Sequence, residues 1–248
     1  AHQTVKTNPE NRPMEQKLSE YKQSLREYCS ILYFRPRMKI VIRGKDVKNK
    51  YCAKSLRQTR KFFYTYRKGT SDESSTAKAV DNNMTVAITF GFTCEEGRSK
   101  DYGMMLYHRN RLIKGYEKVG CQKQNSGRGV DVVGVATVDM LTPTHNKQDF
   151  VKDDKYNSVF FNLSVKLNQY LKSVEQDQPD KDLEKNKNSP DWLWVQCDHC
   201  RMWRRLPSST DKSLLPKLWY CFMNPDSMYN RCDMPEEPDH DEKGKGKR

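Results

Sequence analysis

Four cysteines near the end of the chain, Cys197, Cys200, Cys221 and Cys232, stand at the spacing C-x2-C-x20-C-x10-C. Structural zinc takes four thiolate or imidazole ligands in a tetrahedron, and a C-x2-C turn delivers two of them from one tight knuckle. The spacing therefore predicts a single closed zinc site with all four thiolates as ligands. A catalytic zinc needs an open coordination position, which four cysteines do not leave. The ribbon pattern of two close pairs roughly 15 to 20 residues apart is also excluded, because ten residues separate the last two cysteines. Four buried thiols without a metal are the competing reading. Residues 192 to 238 hold too little apolar mass for it, since domains this small usually need a staple. His199, inside the knuckle, is expected to be exposed. Cys29, Cys52, Cys94 and Cys121 share no metal spacing and are expected as buried structural thiols.

Three tryptophans are interleaved with these cysteines. Trp194 and Trp203 flank the knuckle in "WVQCDHCRMWRRLP", and Trp219 stands two residues before Cys221. Rings this large beside a metal knuckle either fill a small core or turn a face to a cation, an attraction worth about 2 kcal/mol or more when the cation is desolvated. The residue types leave both readings open. Trp192, just ahead of them, receives no role from its position.

These groups need a scaffold, and the preceding residues supply its pattern. Met14, Leu18, Tyr21, Leu25 and Tyr28 recur at spacings of three and four, which predicts an amphipathic helix after Pro13. "MKIVIRG" puts Met38, Ile40 and Ile42 on one face of a strand, and "FFYTY" at residues 62 to 66 is a second β-rich run. In "MTVAITFGFTC", Met84, Val86, Ile88, Phe90, Phe92 and Cys94 alternate with threonine, alanine and glycine, as in a half-buried strand. "YGMMLYHRNRLIKGYEKVG" reads as two strands turned at Arg109 and Asn110, and "GVDVVGVATVDM" as another. Phe160, Leu163, Leu167, Tyr170 and Leu171 then form a helical stripe that should close over the sheet. The expected class is α+β: a mixed sheet with packed helices over residues 14 to 175, then a small zinc-stabilised finger over residues 191 to 239. Residues 1 to 13, the polar stretch 176 to 190 and the charged tail 240 to 248 are expected as a disordered start, a linker and a disordered end.

Composition narrows the partners. Hydrophobic residues make up 35% of the chain and charged residues 31%, with a mean hydropathy of −0.99, too polar for one uniform globule. The net charge of +13 favours an acidic partner. No base-reading motif accompanies that charge, so weak, nonspecific binding of duplex DNA is expected. No run approaches the roughly 18 apolar residues of a membrane span, and the first residues lack a signal peptide's apolar region. A soluble, intracellular protein with reduced cysteines is expected.

With cysteines and tryptophans so placed, residues from Trp192 to about Asp239 closely resemble the CW zinc finger. The resemblance implies a methyl-lysine reader. In it Trp194 and Trp203 are the walls of a cage around a methylated ammonium, and Trp219 is a structural ring. The peptide is added as a strand beside "WVQC". Glu236, Glu237 and Asp239 would meet basic side chains or the amino terminus of a histone tail, with methylated lysine at the fourth residue of histone H-three the first candidate. "RPRMKIVIRG", "YGMMLYHRNRLIKGYEKVG" and "PTHNKQDF" together resemble the MORC (microrchidia) family of nuclear GHKL ATPases, over nearly all of residues 25 to 238. That family implies a transducer lobe for residues 14 to 175, a nuclear location and a homodimer in the full-length protein. It also implies that Lys147, in "THNKQDF", reaches the γ-phosphate of ATP as a point cation. An exposed lysine without that role would look the same in sequence.

Motifs of a nucleotide-binding lobe are missing. Asp101-Tyr102-Gly103 runs into methionines instead of completing an Asp-x-Gly-x-Gly turn, and "GRGVDVVG" fails the G-x-G-x-x-G spacing. ATP and magnesium are thus expected only in a full-length ATPase of which this chain would be a part, and this chain alone is not expected to hydrolyse ATP. The function expected is a chromatin-associated reader of methylated histone lysine attached to a transducer lobe. The alternative is an ATPase component in which the lysine and dimerisation matter, and whose finger binds DNA or acts as an autoinhibitory module.

Overall fold

Val86, Ile88 and Phe90 point inward from strand β4 (Met84–Phe92) with at most 2% of their surface exposed, while the alternating Thr85 and Ala87 face solvent. The alternation read in the sequence thus sets which face of the sheet is buried. The structure is a computed structural model that describes residues 19–66, 84–94, 101–124, 127–177, 190–207 and 209–237. β4 belongs to a five-stranded sheet with β3 (Arg57–Tyr66), β5 (Gly103–His108), β6 (Arg111–Glu117) and β7 (Val132–Thr137), in the order β3-β4-β7-β5-β6. β5 and β7 run parallel and the other pairs antiparallel, so the sheet is mixed and the class is α+β. Arg109 and Asn110, both with positive φ (45° and 72°), turn β5 into β6 as expected.

Both faces of the central strands are covered, which explains why "GMMLY" and "VVGVAT" are continuous apolar runs rather than alternating ones. On one face α3 (Asp154–Gln176) lays Val159, Leu163, Leu167, Tyr170 and Leu171 over Ile88, Phe90, Met104, Leu106 and Val132. Asp153 starts this helix by accepting a hydrogen bond from Tyr156 N at 2.8 Å. On the other face Ile31 and Leu56 pack on Met105, Tyr107, Leu112, Val133 and Val135.

Three expectations need correction. The single N-terminal helix is two, α1 (Glu20–Gln23) and α2 (Leu25–Ile31), separated at Ser24, whose extended backbone and hydroxyl cap α2 through Glu27 N. Ser24 to Glu27 carries the S-x-x-E start signal, which outweighs a continuous stripe; Leu25 is accordingly 65% exposed. The strand in "MKIVIRG" shrinks to β1 (Val41–Ile42), paired with β2 (Lys45–Asp46) across a tight turn at Arg43 and Gly44, and Met38 is exposed. Cys94 lies beyond the end of β4, half-buried, its thiol donating to Ser55 O. The other three unassigned cysteines are half-buried too. Met14 and Leu18, residues 1–13, most of the linker and the tail 240–248 lie outside the described residues. No helix among the described residues is long and apolar enough to cross a membrane.

The finger consists of the hairpin β8 (Leu193–Gln196) and β9 (Trp203–Leu206) followed by loops, around Cys197, Leu206, Trp219 and Cys221. It starts from the edge strand β3. There a bulge with Gln58 at φ 51° turns out the N–H groups of Gln58 and Thr59, and both donate to the Asp191 carboxylate at 2.6 and 2.7 Å.

Gly134 in β7 marks the tightest place in the core. A Cβ there would sit 2.7 Å from Phe90 Cε1 and press on Met104 Sδ, both held by α3. Gly134→Ala should destabilise the domain by about 1 to 3 kcal/mol; denaturant unfolding followed by circular dichroism checks this.

Candidate metal centre and aromatic site

The knuckle closes by backbone bonds. Cys197 N donates to Met202 O at 2.9 Å and Arg201 N to Cys197 O at 3.0 Å, with Arg201 in the left-handed region (φ 62°). Asp198 joins the distant half of the site: its N–H donates to Trp219 O at 2.8 Å and its carboxylate accepts from Trp219 N at 2.9 Å. This two-way clamp carries Cys221, two residues on, to the knuckle. The Sγ atoms of Cys197, Cys200, Cys221 and Cys232 all lie within 4.8 Å of one another, with Cys200 to Cys221 at 3.5 Å and Cys197 to Cys232 at 3.9 Å. Tetrahedral zinc with bonds of about 2.3 Å needs sulfurs roughly 3.8 Å apart, so the four fit one ion.

Burial acts to raise Cys197, but backbone N–H groups of Cys200, His199 and Cys221 hold its thiol down to about 7. Burial pushes Cys221 up to about 12, against the donor Arg204 and with the help of Cys200 and Cys197. Four sulfurs this close can all be thiolates only with a cation among them. His199 is exposed, as expected.

β8 and β9 pair in the register Trp194↔Arg205, Val195↔Arg204 and Gln196↔Trp203. Opposed residues share a face, so Leu193, Val195, Arg204 and Leu206 look into the finger while Trp194, Gln196, Trp203 and Arg205 look out of it. The outward face meets the N-terminal domain. Gln196 Nε2 donates to Pro36 O, and its Oε1 accepts from Asn49 Nδ2 at 3.2 Å. Trp203, 9% exposed, meets Tyr51 edge to face with ring centres 5.8 Å apart, and its Nε1 has no hydrogen-bond partner. Lys54 Nζ lies 3.5 Å from the centre of the Trp194 ring and 4.7 Å from that of Tyr51, and it pairs with Glu236 at 3.4 Å. Asn49, Tyr51, Lys54, Trp194 and Trp203 line a cavity of about 610 Å³ between the two domains.

Trp219 is 3% exposed and belongs to the finger's core. Glu236, beside Lys54, also faces Arg37 at 3.9 Å. Glu237 is 6% exposed and is held by Arg205, whose N–H donates at 3.0 Å and whose Nε pairs at 3.1 Å. Asp239 lies outside the described residues. Trp192 acquires a role that its position did not suggest: the Arg205 guanidinium stacks 4.5 Å from its ring centre. Tyr51 and Lys54 were missed altogether, because nothing in their spacing ties them to tryptophans some 140 residues further on.

Lys147 is in neither group. It stands exposed at the tip of a loop, in the left-handed region (φ 54°), its N–H donating to Thr144 O at 2.9 Å. Thr144 N donates to Asp149 O across the base of that loop, and Asp149 pairs with Lys114 at 3.1 Å. The loop is therefore rigid and presents the ammonium outward.

A mixed sheet flanked by α3 and a four-cysteine finger with outward tryptophans define a two-domain protein of transducer and CW type. The family model for the Morc6 ribosomal protein S5 domain 2-like fold matches residues 23–171, and that for the CW-type zinc finger matches residues 193–238. The mouse MORC family CW-type zinc finger protein 3 is 43% identical over 92% of this chain and 23% of its own length. Human ATPase MORC2 is 33% identical over 64% of this chain and 18% of its own. A solved zf-CW domain, from zinc finger CW-type PWWP domain protein 1, is 51% identical over 19% of this chain and 71% of that chain, with a TM-score of 0.18. The chain belongs to the MORC family of CW-type zinc finger proteins. It spans less than a quarter of the length of either MORC relative just named.

Metal analysis should find one zinc per chain, and Cys232→Ser should lose most of it. Because folding of so small a unit is coupled to the ion, circular dichroism of that variant should show loss of the finger while α3 and the sheet remain.

Proposed function

We propose that this chain is a nuclear, chromatin-binding segment whose finger reads methylated lysine on a histone tail, attached to the transducer lobe of a MORC-type ATPase. The observation that carries the reading is Lys54: an alkylammonium already rests on the Trp194 face, enclosed by Tyr51 and balanced by Glu236. A methylated lysine is the same kind of group with a larger, less hydrated head, and aromatic faces favour it. β8 pairs only with β9 among the described strands, so its other edge can accept a peptide as a third strand. Entry of a histone lysine would require Lys54 to leave. In a complete ATPase, ATP and magnesium would be the cofactors and Lys147 the transducer's contact to the γ-phosphate, with dimerisation through that enzyme.

Trp194→Ala should weaken binding of a trimethylated histone H-three peptide by about thirtyfold, the equivalent of about 2 kcal/mol, while zinc content is unchanged. Lys54→Ala should strengthen it, because the competent state no longer has to displace an internal ammonium. Calorimetric titration with methylated and unmethylated peptide measures both. If the wild type and Lys54→Ala alike show no preference for the methylated peptide, the reading falls.

A second reading, nonspecific binding of duplex DNA, is favoured by the β1–β2 hairpin. Arg35, Arg37, Lys39, Arg43, Lys45 and Lys48 are all exposed along it, and Arg26 pins it to α2 through Asp46 O and Ile42 O. Replacing Arg43 and Lys45 together by glutamine should reduce the slope of log affinity against log salt by roughly two. Fluorescence anisotropy of a labelled duplex across a salt series reads this, and an unchanged slope removes the hairpin from the interface.

A further inference from the structure

Arg204 is the largest completely buried side chain among the described residues, with none of its surface exposed. Its pairing with Val195 turns it into the finger, between two neighbours that look out. Nε donates to Cys221 Sγ at 3.4 Å, Nη2 donates to Arg231 O at 3.0 Å and Met234 O at 2.8 Å, and Nη1 donates to Pro235 O. The guanidinium also lies 5.8 Å from the Tyr229 ring centre. Among the described residues no carboxylate pairs with it. A guanidinium keeps its proton at any relevant pH, and stripping it of water without an opposite charge costs several kcal/mol. Carbonyl oxygens replace lost hydration but do not neutralise the charge. The neighbour that does is the Cys221 sulfur, as a thiolate in a centre whose one zinc ion and four thiolates carry roughly two net negative charges.

We propose that Arg204 is the charge-balancing outer partner of the zinc centre and the residue that positions the segment from Arg231 to Glu237 upon it. The inference rests on the zinc assignment. Its hydrogen bond draws electron density from the Cys221 thiolate. The three carbonyls it holds come from Arg231, Met234 and Pro235, on both sides of Cys232, so burial of the guanidinium and arrival of the fourth ligand are one event. The same segment runs on into Glu236, beside Lys54 and Trp194, and Glu237, which Arg205 holds from the opposite face of β9. Arg204 is thus a positioning residue: through it the metal centre sets where the acidic end of the aromatic site stands.

The test uses the zinc-loaded full chain in three forms, wild type, Arg204→Met and Arg204→Lys, with two readouts. The first is the rate of zinc transfer to a chelator. Loss of an outer-sphere partner should speed it by about 10- to 100-fold in Arg204→Met, with Arg204→Lys, which keeps the charge and loses the fork, in between. The second is the rate of alkylation of each cysteine by iodoacetamide, resolved by mass spectrometry. Cys197 and Cys221 are both buried, but only Cys221 receives the Arg204 donor, so the Cys221 to Cys197 rate ratio should rise in both variants. A purely structural arginine would raise all four rates in step. Equal zinc release, or an unchanged ratio, overturns the proposal. If Arg204→Met does not fold, the same two readouts on Arg204→Lys decide it. Should the wild type bind no zinc, the zinc assignment fails and this inference with it; zinc bound equally tightly by all three forms refutes the role of Arg204 alone.

Discussion

Four thiol groups within 4.8 Å of one another are tolerable as thiolates only around a cation, and the finger is organised by that constraint. Its apolar core is little more than Leu193, Val195, Leu206, Leu215 and Trp219 around the cysteines, too small to hold the chain by burial alone. Each half of the finger reaches the centre through a specific polar bond. Asp198 clamps Trp219 and so delivers Cys221, and Arg204 gathers the carbonyls around Cys232. The metal centre is therefore the point at which three distant stretches of sequence become one structure.

The β8–β9 hairpin converts that centre into a surface. Alternation along two short strands sends Val195 and Arg204 toward the sulfurs and Trp194, Gln196 and Trp203 away from them. Rigidity inside therefore fixes orientation outside. The outward face is occupied: Tyr51 meets Trp203, Lys54 rests on Trp194, and Asn49 and Pro36 bond Gln196. An ammonium with 5% of its side-chain surface exposed, facing an indole and a carboxylate, is stabilised by both. The finger and the N-terminal domain thus share an aromatic-lined pocket.

The transducer supplies this pocket because its sheet is covered on both faces. α3 closes one side, and the segment from α2 to the turn at Tyr51–Leu56 closes the other, which leaves Tyr51 and Lys54 at the outer surface of that second layer. Asp191 fastens the start of the finger to a bulge in the edge strand β3, and three hydrogen bonds from Gln58 and Thr59 occupy backbone and hydroxyl donors that would otherwise face solvent.

By itself the sequence determined the ligand set of the metal centre, the strands β3 to β7 and the stripe of α3. Each of these depends on short-range periodicity, or on a ligand spacing that few other chemistries need. Only the tertiary structure decided the break at Ser24, the exposure of Met38 and Leu25, and the place of Lys54, Tyr51 and Arg204. A local cap outweighed a long apolar stripe in the first case, because one hydroxyl satisfying a backbone N–H fixes a helix start within a single turn. Arg204 was unremarkable in "WRRLP" because its neighbour Arg205 has the same chemistry; the strand register alone sends one into the zinc core and the other to the surface. Lys54 and Trp194 meet across 140 residues, and no local pattern encodes contacts at that separation. They follow from the packing of two folded surfaces.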